Sequence, residues 1–380
     1  MAVNRGLEDV IAAESSICKV DGEKGRLIYR GYDIDDLAEN STYEEVVYLL
    51  WFGRLPVKEE LDTLRKELGA NRALPKEIVE EMKKWPKNAV PMEVLRSATS
   101  LLSMYDEDAS ENDRAANIRK ATRLTAQLPT IVAYWDCIRE GRELVAPKPE
   151  HTTAASFLHL LHSGKEPDEV AVKSLDMALI LHAEHELNAS TFAARVAAGT
   201  LTDMHSAVVA AIGTLKGPLH GGANQEVIKM LLEIGEVAKV EPFVKKMFAD
   251  KKKLMGFGHR VYKVQDPRAF HLRKMSEELC RGANQSKWYE MSTIIERLAK
   301  EEKNLNCNVD FYSASVYHVL GIPRDLFTPI FAISRIAGWS AHILEQLEDN
   351  RLIRPEAEYV GHMDLKYVPV EQRKEVAAAK

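Results

Sequence analysis

The chain has 380 residues, of which 46% are hydrophobic and 28% are charged, and its formal net charge is -6. This composition excludes a disordered, fibrous or disulfide-scaffold protein, and the negative charge argues against general binding to a nucleic-acid backbone. The length is sufficient for a large core and is typical of two or three domains.

The cysteine spacing and the N-terminal sequence indicate the cellular compartment. The four cysteines form no Cys-x-x-Cys pair, which disfavours a structural zinc site and a redox motif; they are Cys18, Cys137, Cys280 and Cys307. The N-terminal residues lack the apolar segment of a secretory signal, and no uninterrupted apolar window of about 18 residues occurs. We therefore expect reduced thiols and a cytoplasmic protein with no membrane or nucleic-acid partner.

The only clear strand signals lie near the N-terminus. Residues 16–20 and 26–29 flank the turn-like sequence 21–25, and this pattern predicts a β-hairpin. From Ser41 the pattern is helical, and Ser41 with Glu44 fits a capping box at the start of the first helix. The sequence therefore predicts one short β element followed by a helical chain.

Apolar residues recur every three or four positions through most of the remaining chain. The predicted helices after the first one span residues 61–68, 74–85, 92–105, 112–139, 153–162, 168–185, 190–198, 203–214, 225–236, 242–249, 268–281, 287–303, 313–319 and 329–346. Pro129 is expected to kink or restart its helix, and the polar tail from about residue 350 shows little periodicity. Strands and helices do not alternate as in a dinucleotide-binding fold, so the predicted fold class is mainly α.

The loop 256–268 holds the strongest functional signal. Its two glycines before His259 allow positive φ and a close approach of a ligand to the backbone. The Asp266-Pro pair breaks a helix and holds Arg268 at a fixed offset from His259. This combination favours a functional histidine over an ordinary loop residue.

Two further turns carry candidate catalytic residues. His220 lies between Gly-Pro-Leu and Gly-Gly, where a turn can present its ring at a helix N-terminus and favour the neutral imidazole. A solvent-exposed histidine at a helix start is the alternative. Asp310 follows Asn-Val before a helical run, and taken alone it is typical of an N-cap rather than a base.

Together these three residues match one chemistry. Carbon-carbon bond formation beside a carbonyl needs a carboxylate base, a hydrogen-bond donor for the enol oxygen and a donor for the acceptor carbonyl. Arginines suit an anionic substrate, and Arg335 lies in an apolar stretch where a buried guanidinium must find an anion. Arg354, near the C-terminus, looks by itself like an exposed charge.

The pair His182 and His185 permits a metal-site interpretation, because a three-residue step places two imidazoles on one helical face. No other cluster has ligand spacing, and the pattern is not a zincin motif. A substrate hydrogen bond from His185 or a satisfied core histidine is the preferred interpretation, and no metal is expected.

Five motifs occur in the order and spacing of one enzyme family; they are Gly217-Pro-Leu-His220-Gly, Gly256-Phe-Gly-His259-Arg-Val-Tyr with Asp266-Pro-Arg268, Asn308-Val-Asp310-Phe-Tyr-Ser, Ser334-Arg335 and Arg354-Pro355. On these motifs the chain resembles citrate synthase, a transferase of the tricarboxylic acid cycle, from Gly6 to about Gln372. It is most similar to the short bacterial and archaeal dimeric form.

The resemblance implies a role for each site residue. Asp310 would remove a methyl proton from acetyl-CoA, His220 would stabilise the enol and His259 would polarise the oxaloacetate ketone, after which citryl-CoA is hydrolysed. Oxaloacetate would be bound by His185, Arg268 and Arg335, and Arg354 would reach into the site of the other subunit of a homodimer. The adenine end of CoA would meet Lys253, Leu254, Met255, Gly256 and Phe257, with Lys263 where some relatives carry a phosphate-binding arginine.

The resemblance also implies a large helical domain of residues 1–221 and 324–380 and a mobile, CoA-binding small domain of residues 222–323. The small domain would close over oxaloacetate, which is physically sensible because an enol must be kept from water. No cofactor is implied beyond the CoA thioester as co-substrate.

Three alternative functions are associated with the same fold. A 2-methylcitrate synthase would use propionyl-CoA with the same three catalytic residues, and a catalytically silent helical scaffold would keep the fold alone. An ATP-driven citrate cleavage enzyme needs a nucleotide-binding segment, and the chain has no P-loop.

Overall fold

The computed structural model describes residues 4–7 and 10–373. The chain divides into two compact units: the two terminal segments, Met1–Glu14 with Ile353–Lys380, and the segment Ser15–Leu352. In the described part of the terminal unit the regular elements are two 3-10 turns, Arg5–Leu7 and Val370–Gln372, and most side chains are exposed. The predicted lack of helical periodicity in the tail is confirmed as far as residue 373.

The unit Ser15–Leu352 contains one antiparallel sheet and sixteen α-helices. The strands are β1 (Cys18–Asp21), β2 (Arg26–Tyr29) and β3 (Tyr32–Asp33). The helices are α1 (Ile34–Asn40), α2 (Tyr43–Phe52), α3 (Lys58–Ala70), α4 (Lys76–Lys84), α5 (Pro91–Leu102), α6 (Arg114–Arg139), α7 (Thr153–Leu161), α8 (Glu169–His182), α9 (Ala189–Ala198), α10 (Met204–Leu215), α11 (Ala223–Ile234), α12 (Val240–Ala249), α13 (Pro267–Gly282), α14 (Lys287–Lys303), α15 (Val309–Val319) and α16 (Phe327–Glu348).

The mainly α fold class with a short N-terminal β element is confirmed. In the sheet, β1 pairs with β2 so that Cys18 faces Tyr29 and Asp21 faces Arg26, as a hairpin requires. No helix in the described part of the chain is long and apolar enough to cross a lipid bilayer.

The first capping box lies one residue later than predicted. Ser41 ends α1, where its N–H donates to the Leu37 carbonyl, and α1 itself has no counterpart in the sequence prediction. The N-cap of α2 is Thr42, whose N–H donates to the Glu45 carboxylate at 2.8 Å. Glu44 is buried instead and accepts a hydrogen bond from the Thr153 N–H, so tertiary contacts decide between the two glutamates.

Pro129 was expected to kink or restart its helix; α6 runs through it without a break, so the restart is wrong and the kink stays a prediction. A proline inside a helix removes one hydrogen bond and crowds the preceding turn. Helix α6 is buried along most of its length and packs against α5, α7 and α16, and this burial offsets the local cost.

Helix α16 forms the centre of the core. Residues 326–344 are all buried, and the helix packs against α2, α6, α8, α9 and α10. A helix enclosed on every face must satisfy its polar side chains internally, and Arg335 is one of them.

The division into a large domain and a small domain at 222–323 stays a prediction. Residues 15–352 form a single compact unit that includes the whole of the expected small domain. Residues 1–3, 8–9 and 374–380 of the expected large domain lie outside the described residues.

Candidate active site

The loop between α12 and α13 is hydrogen-bonded to the segment that precedes α15. The Gly258 N–H donates to the Asn306 carbonyl, and the Asn308 N–H donates to the Gly256 carbonyl, each at 2.9 Å. The side-chain amide of Asn308 also donates to the Gly258 carbonyl at 2.9 Å. These contacts join the loop that carries one predicted catalytic histidine to the segment that leads to the predicted base.

The predicted positive φ is confirmed at both loop glycines, with φ of 80° at Gly256 and 75° at Gly258. A Cβ added at Gly256 would lie 2.8 Å from the Val227 side chain and 3.0 Å from that of Phe311. Position 256 therefore requires glycine both for its backbone conformation and for space.

The tautomer of His259 follows from its backbone contacts. Its Nδ1 accepts hydrogen bonds from the Val261 and Tyr262 N–H groups, at 3.1 and 3.2 Å. A neutral imidazole then carries its proton on Nε2, which becomes a donor. Burial, with the nearby charge of Arg268, lowers the pKa of His259 to about 4, so the ring is neutral at pH 7.

The buried carboxylate of Asp266 accepts four hydrogen bonds. Its carboxylate accepts hydrogen bonds from the Arg268 N–H, Nε and Nη2, at 3.1, 2.9 and 2.8 Å. It also accepts one from the Val309 N–H in the first turn of α15, at 3.2 Å. Burial acts to raise the pKa of Asp266, but the Arg268 ion pair outweighs burial and lowers it. Asp266 therefore stays ionised and links Arg268 to α15.

Asp310 does not cap α15. The N-cap is Asn308, whose Oδ1 accepts from the Asp310 N–H at 3.0 Å, so the capping role expected of Asp310 belongs to its neighbour. The Asp310 carboxylate makes no hydrogen bond to any described residue. Burial raises its pKa to about 6, opposed by the charges of Arg268 and Arg335 and reinforced by that of Asp266. The result is an ionised, unpaired carboxylate of raised basicity at pH 7.

His220 contacts the N-terminal turn of α9 rather than the helix that follows it in sequence. Its Nε2 accepts from the Ser190 N–H at 3.3 Å and lies 2.8 Å from the Ser190 hydroxyl, to which Trp339 Nε1 also donates at 3.1 Å. Because Nε2 is an acceptor, the neutral ring carries its proton on Nδ1. Burial, with a smaller contribution from the Arg335 charge, lowers the pKa of His220 to about 4.

Arg335 has N–H donors on its guanidinium group that no described residue uses. Its Nε donates to the His182 carbonyl at 2.7 Å, and its guanidinium lies over the Phe331 ring, 4.6 Å from the centroid. Within the described residues its two Nη atoms make no hydrogen bond. A buried cation with free donors is suited to a carboxylate ligand.

His182 and His185 do not share a helical face, because α8 ends at His182. His182 Nδ1 lies 2.8 Å from the Ala178 carbonyl, and its Nε2 is buried without a hydrogen-bond partner among the described residues. The His185 ring lies 5.3 Å from that of His259, and its Nε2 is likewise buried and unpartnered. Burial and the Arg268 charge lower both pKa values, that of His182 to about 3. The arrangement fits a neutral His185 that faces a ligand beside His259.

The residues expected to contact CoA lie along and beside the same loop. Lys253 is exposed, whereas Leu254, Gly256 and Phe257 are buried, with the Phe257 ring 4.6 Å from that of Phe311. Met255 is half-buried. Their side chains mostly pack inward, so their contribution to CoA binding stays a prediction.

Lys263 shows how the sheet supports the loop. Its N–H donates to the Gly22 carbonyl at 2.9 Å, and its side chain is exposed. A Cβ added at Gly22, in the turn between β1 and β2, would lie 2.2 Å from the Val261 carbonyl oxygen. The β-hairpin thus packs directly against the backbone of the loop.

Arg354 belongs to the terminal unit, where its side chain is exposed. The role that the sequence assigned to it stays a prediction.

The contacts of four residues of the site were not predicted from the sequence. Asn308 directly before Val-Asp fits an N-cap preference, and Asp266 before Pro-Arg fits a helix start, so both had a local signal. Ser190 had none, because its partner His220 lies 30 positions away. Tyr262 also had none, although its ring lies 4.7 Å from His259 and its buried hydroxyl has no partner among the described residues.

The arrangement combines three kinds of group. It offers an unpaired carboxylate, neutral imidazoles with one N–H each, and two buried guanidinium groups. Such a site can remove a weakly acidic proton, stabilise oxygen atoms that gain negative charge and hold a small dianion.

A family model described as citrate synthase, C-terminal domain, matches residues 6–356. Citrate synthase 2 of Bacillus subtilis is 54% identical over 374 residues, covering 98% of this chain and 100% of that protein. Citrate synthase of Haloferax volcanii is 50% identical over 377 residues, covering 98% and 99%. A 2-methylcitrate synthase of Shewanella oneidensis is 42% identical over 369 residues, covering 97% of both chains.

Solved structures agree with these matches. The crystal structure of citrate synthase from Pyrobaculum aerophilum superposes with a TM-score of 0.90 at 44% identity, covering 97% of this chain and 95% of the other. A citrate synthase from Thermoplasma acidophilum, solved as a ternary complex with carboxymethyl coenzyme A and oxaloacetate, gives a TM-score of 0.89 at 33% identity, covering 98% and 100%.

Proposed function

Because this chain belongs to the citrate synthase family, we propose that it condenses acetyl-CoA with oxaloacetate and hydrolyses citryl-CoA to citrate and CoA. The observation that carries the proposal is the state of Asp310, an unpaired carboxylate of raised pKa. It lies on a segment hydrogen-bonded to the His259 loop.

Asp310 takes a proton from the methyl group of acetyl-CoA, so the C–H bond breaks and the thioester becomes an enol. A pKa of about 6 keeps the carboxylate ionised at pH 7 and makes it a stronger base than an ordinary aspartate. The His220 Nδ1–H donates to the thioester oxygen as negative charge develops there.

The enol carbon then attacks the ketone carbon of oxaloacetate. His259 Nε2–H donates to the ketone oxygen, and the free N–H groups of Arg335 and Arg268 bind the two carboxylates. His185 faces the same ligand beside His259. The methyl proton taken by Asp310 is balanced over the cycle by the proton that the new hydroxyl takes up.

Hydrolysis of the citryl thioester by water releases CoA. Acid-base side chains and the thioester supply every step, so we propose that the reaction uses no resident cofactor. The four cysteines are free thiols, which supports the proposed cytoplasmic location. We further propose a homodimer in which Arg354 completes the site of the other subunit.

The substitution Asp310→Asn tests the proposal, because it removes the base and keeps the shape of the side chain. We expect turnover, measured as thiol release from acetyl-CoA with oxaloacetate, to fall by about 10²–10⁴-fold. Oxaloacetate affinity, measured by calorimetry, should stay close to that of the wild type. Unchanged turnover would remove Asp310 as the base, and an inactive wild type would favour the silent scaffold.

Propionyl-CoA is the alternative acyl donor, because curated relatives at 42% and 40% identity are 2-methylcitrate synthases. One methylene contributes only about 1–3 kcal/mol to discrimination in an apolar pocket. The ratio of kcat/KM for the two thioesters decides between them. We expect acetyl-CoA to be preferred, and a clear preference for propionyl-CoA would make the protein a 2-methylcitrate synthase.

A further inference from the structure

A second group of ionisable side chains lies at α7 and its flanking loops. His151 precedes the N-cap of α7, His159 lies in its last turns, and Glu166 follows in the next loop. One ligand atom from each of the three lies within 4.8 Å of the others. None of these residues belongs to the candidate active site.

The two imidazoles face the two oxygens of one carboxylate. His151 Nε2 lies 3.2 Å from Glu166 Oε2, and His159 Nδ1 lies 3.1 Å from Glu166 Oε1. Although His159 Nδ1 lies this close to the carboxylate, it is buried without a hydrogen-bond partner among the described residues. His159 is only 4% exposed, so an unsatisfied ring nitrogen there is costly.

The two nitrogen–oxygen separations are of the size found between neighbouring ligand atoms of one metal ion. In a tetrahedral zinc site with ligands at about 2.0–2.1 Å, neighbouring ligand atoms lie ~3.3 Å apart without being aimed at one another. Two imidazoles and one carboxylate form a donor set that zinc prefers over calcium or magnesium.

A buried arginine holds the backbone of the loop before α7. The Arg72 guanidinium is buried and donates to the His151 carbonyl, and it also donates to the Lys148 carbonyl at 2.8 Å. The rings of His151 and His159 meet edge to face, with centroids 5.0 Å apart. The Arg72 contacts therefore fix the backbone on both sides of the loop position that carries His151.

We propose that His151, His159 and Glu166 form a binding site for one zinc ion that ties the loop before α7 to the loop after it. Water would complete the coordination shell. Lys148 is the competitor for the same carboxylate, because its ammonium group donates to Glu166 Oε1. The site is structural, and the proposed catalytic reaction does not depend on it.

Calorimetric titration of the full chain with zinc chloride tests the site. We expect one zinc site per chain that weakens about tenfold or more in His159→Gln and in Glu166→Gln, since each loses one ligand. His362→Gln, at an exposed histidine of the tail, is the matched control and should bind as the wild type does. Zinc should also raise the thermal midpoint of the wild type but not that of Glu166→Gln.

Lys148→Met provides a second, independent test of the site, because it leaves all three proposed ligands in place. Loss of the competing ammonium group should tighten zinc binding, whereas a site that used other residues would not respond. Cobalt(II) should give the visible spectrum of a tetrahedral ion in the wild type and lose it in Glu166→Gln. Zinc binding that is equal in the wild type and both ligand variants would overturn the proposal, and so would the absence of stoichiometric binding.

Discussion

The protons of the two proposed catalytic histidines are positioned by backbone N–H groups. Two N–H groups of its own loop hold Nδ1 of His259, and the Ser190 N–H holds Nε2 of His220. Each ring therefore presents its other nitrogen as the donor. A sequence shows that a histidine is present, but the donor nitrogen depends on contacts that only the folded chain provides.

Asp266 should tune the base as well as anchor Arg268. The pKa of Asp310 is about 6, raised first by burial and further by the negative charge of Asp266. Activity should therefore fall as the pH drops through about 6, because the protonated carboxyl cannot accept the methyl proton. Asp266→Asn removes the negative charge that raises the pKa of Asp310. We therefore expect the acid limb of the pH profile of kcat/KM to move to lower pH.

The same variant should also raise KM for oxaloacetate, because Arg268 loses its ion-pair partner. A purely structural role would lower kcat without moving the acid limb. An acid limb that stays at the wild-type pH, in a variant that folds, would show that Asp266 does not tune Asp310.

At the level of elements, Asn308 links two segments. Its side chain accepts from the Asp310 N–H as the cap of α15 and donates to the Gly258 carbonyl, while its N–H donates to the Gly256 carbonyl. One residue thus fixes the start of the helix that carries the proposed base, Asp310, relative to the loop that carries His259. Relative placement of catalytic groups within a fraction of an ångström is worth orders of magnitude in rate.

Asn308→Ala should therefore lower kcat strongly and the free energy of unfolding only slightly. Loss of the cap should lower the free energy of unfolding by about 1 kcal/mol. We expect kcat to fall about tenfold to a hundredfold, because the loop and helix α15 are no longer held in register. Steady-state kinetics and chemical denaturation of the same preparation measure the two effects.

Asp113→Ala is the matched control, since Asp113 caps α6 through the Ala116 N–H and makes no hydrogen bond to the described loop 256–268. It should lose a similar amount of stability with kcat unchanged. If both variants lose kcat equally, the role of Asn308 is only that of a cap.

At the scale of the whole molecule, the terminal unit and the unit of residues 15–352 are separate compact bodies, and Arg354 lies in the first of them. The proposed homodimer makes a sharp prediction about this arginine. Arg354→Ala and His259→Ala should each be nearly inactive alone. Mixed dimers should regain activity, because one of their two sites contains both residues intact.

Co-expression with two different affinity tags isolates the mixed dimer for the assay. A gain of activity to about half that of the wild type is expected when one of two sites is complete. Activity no higher than that of the single variants would place Arg354 outside the other subunit's site.

The sequence predicted much of this architecture from local pattern. The β-hairpin and the helices after residue 57 agree with the structure to within a few residues, because their periodicity and their caps act over short distances. The helix α1, the capping box at Thr42 and the unbroken α6 differ, since burial and long-range contacts decide them. For the same reason, the sequence did not predict the contact between Ser190 and His220 or the group of His151, His159 and Glu166. Their members are distant in sequence or lie on separate loops.

The turn at Gly22 has a practical consequence for handling this protein. Its carbonyl receives the Lys263 N–H, and its α-carbon leaves no room for a side chain beside Val261. Trimming the chain at its front end, or inserting a fusion partner into this hairpin, would therefore disturb a stretch some 240 positions further along. Anyone engineering a shortened variant should keep the β-hairpin, because its turn supports the backbone of the loop 256–268.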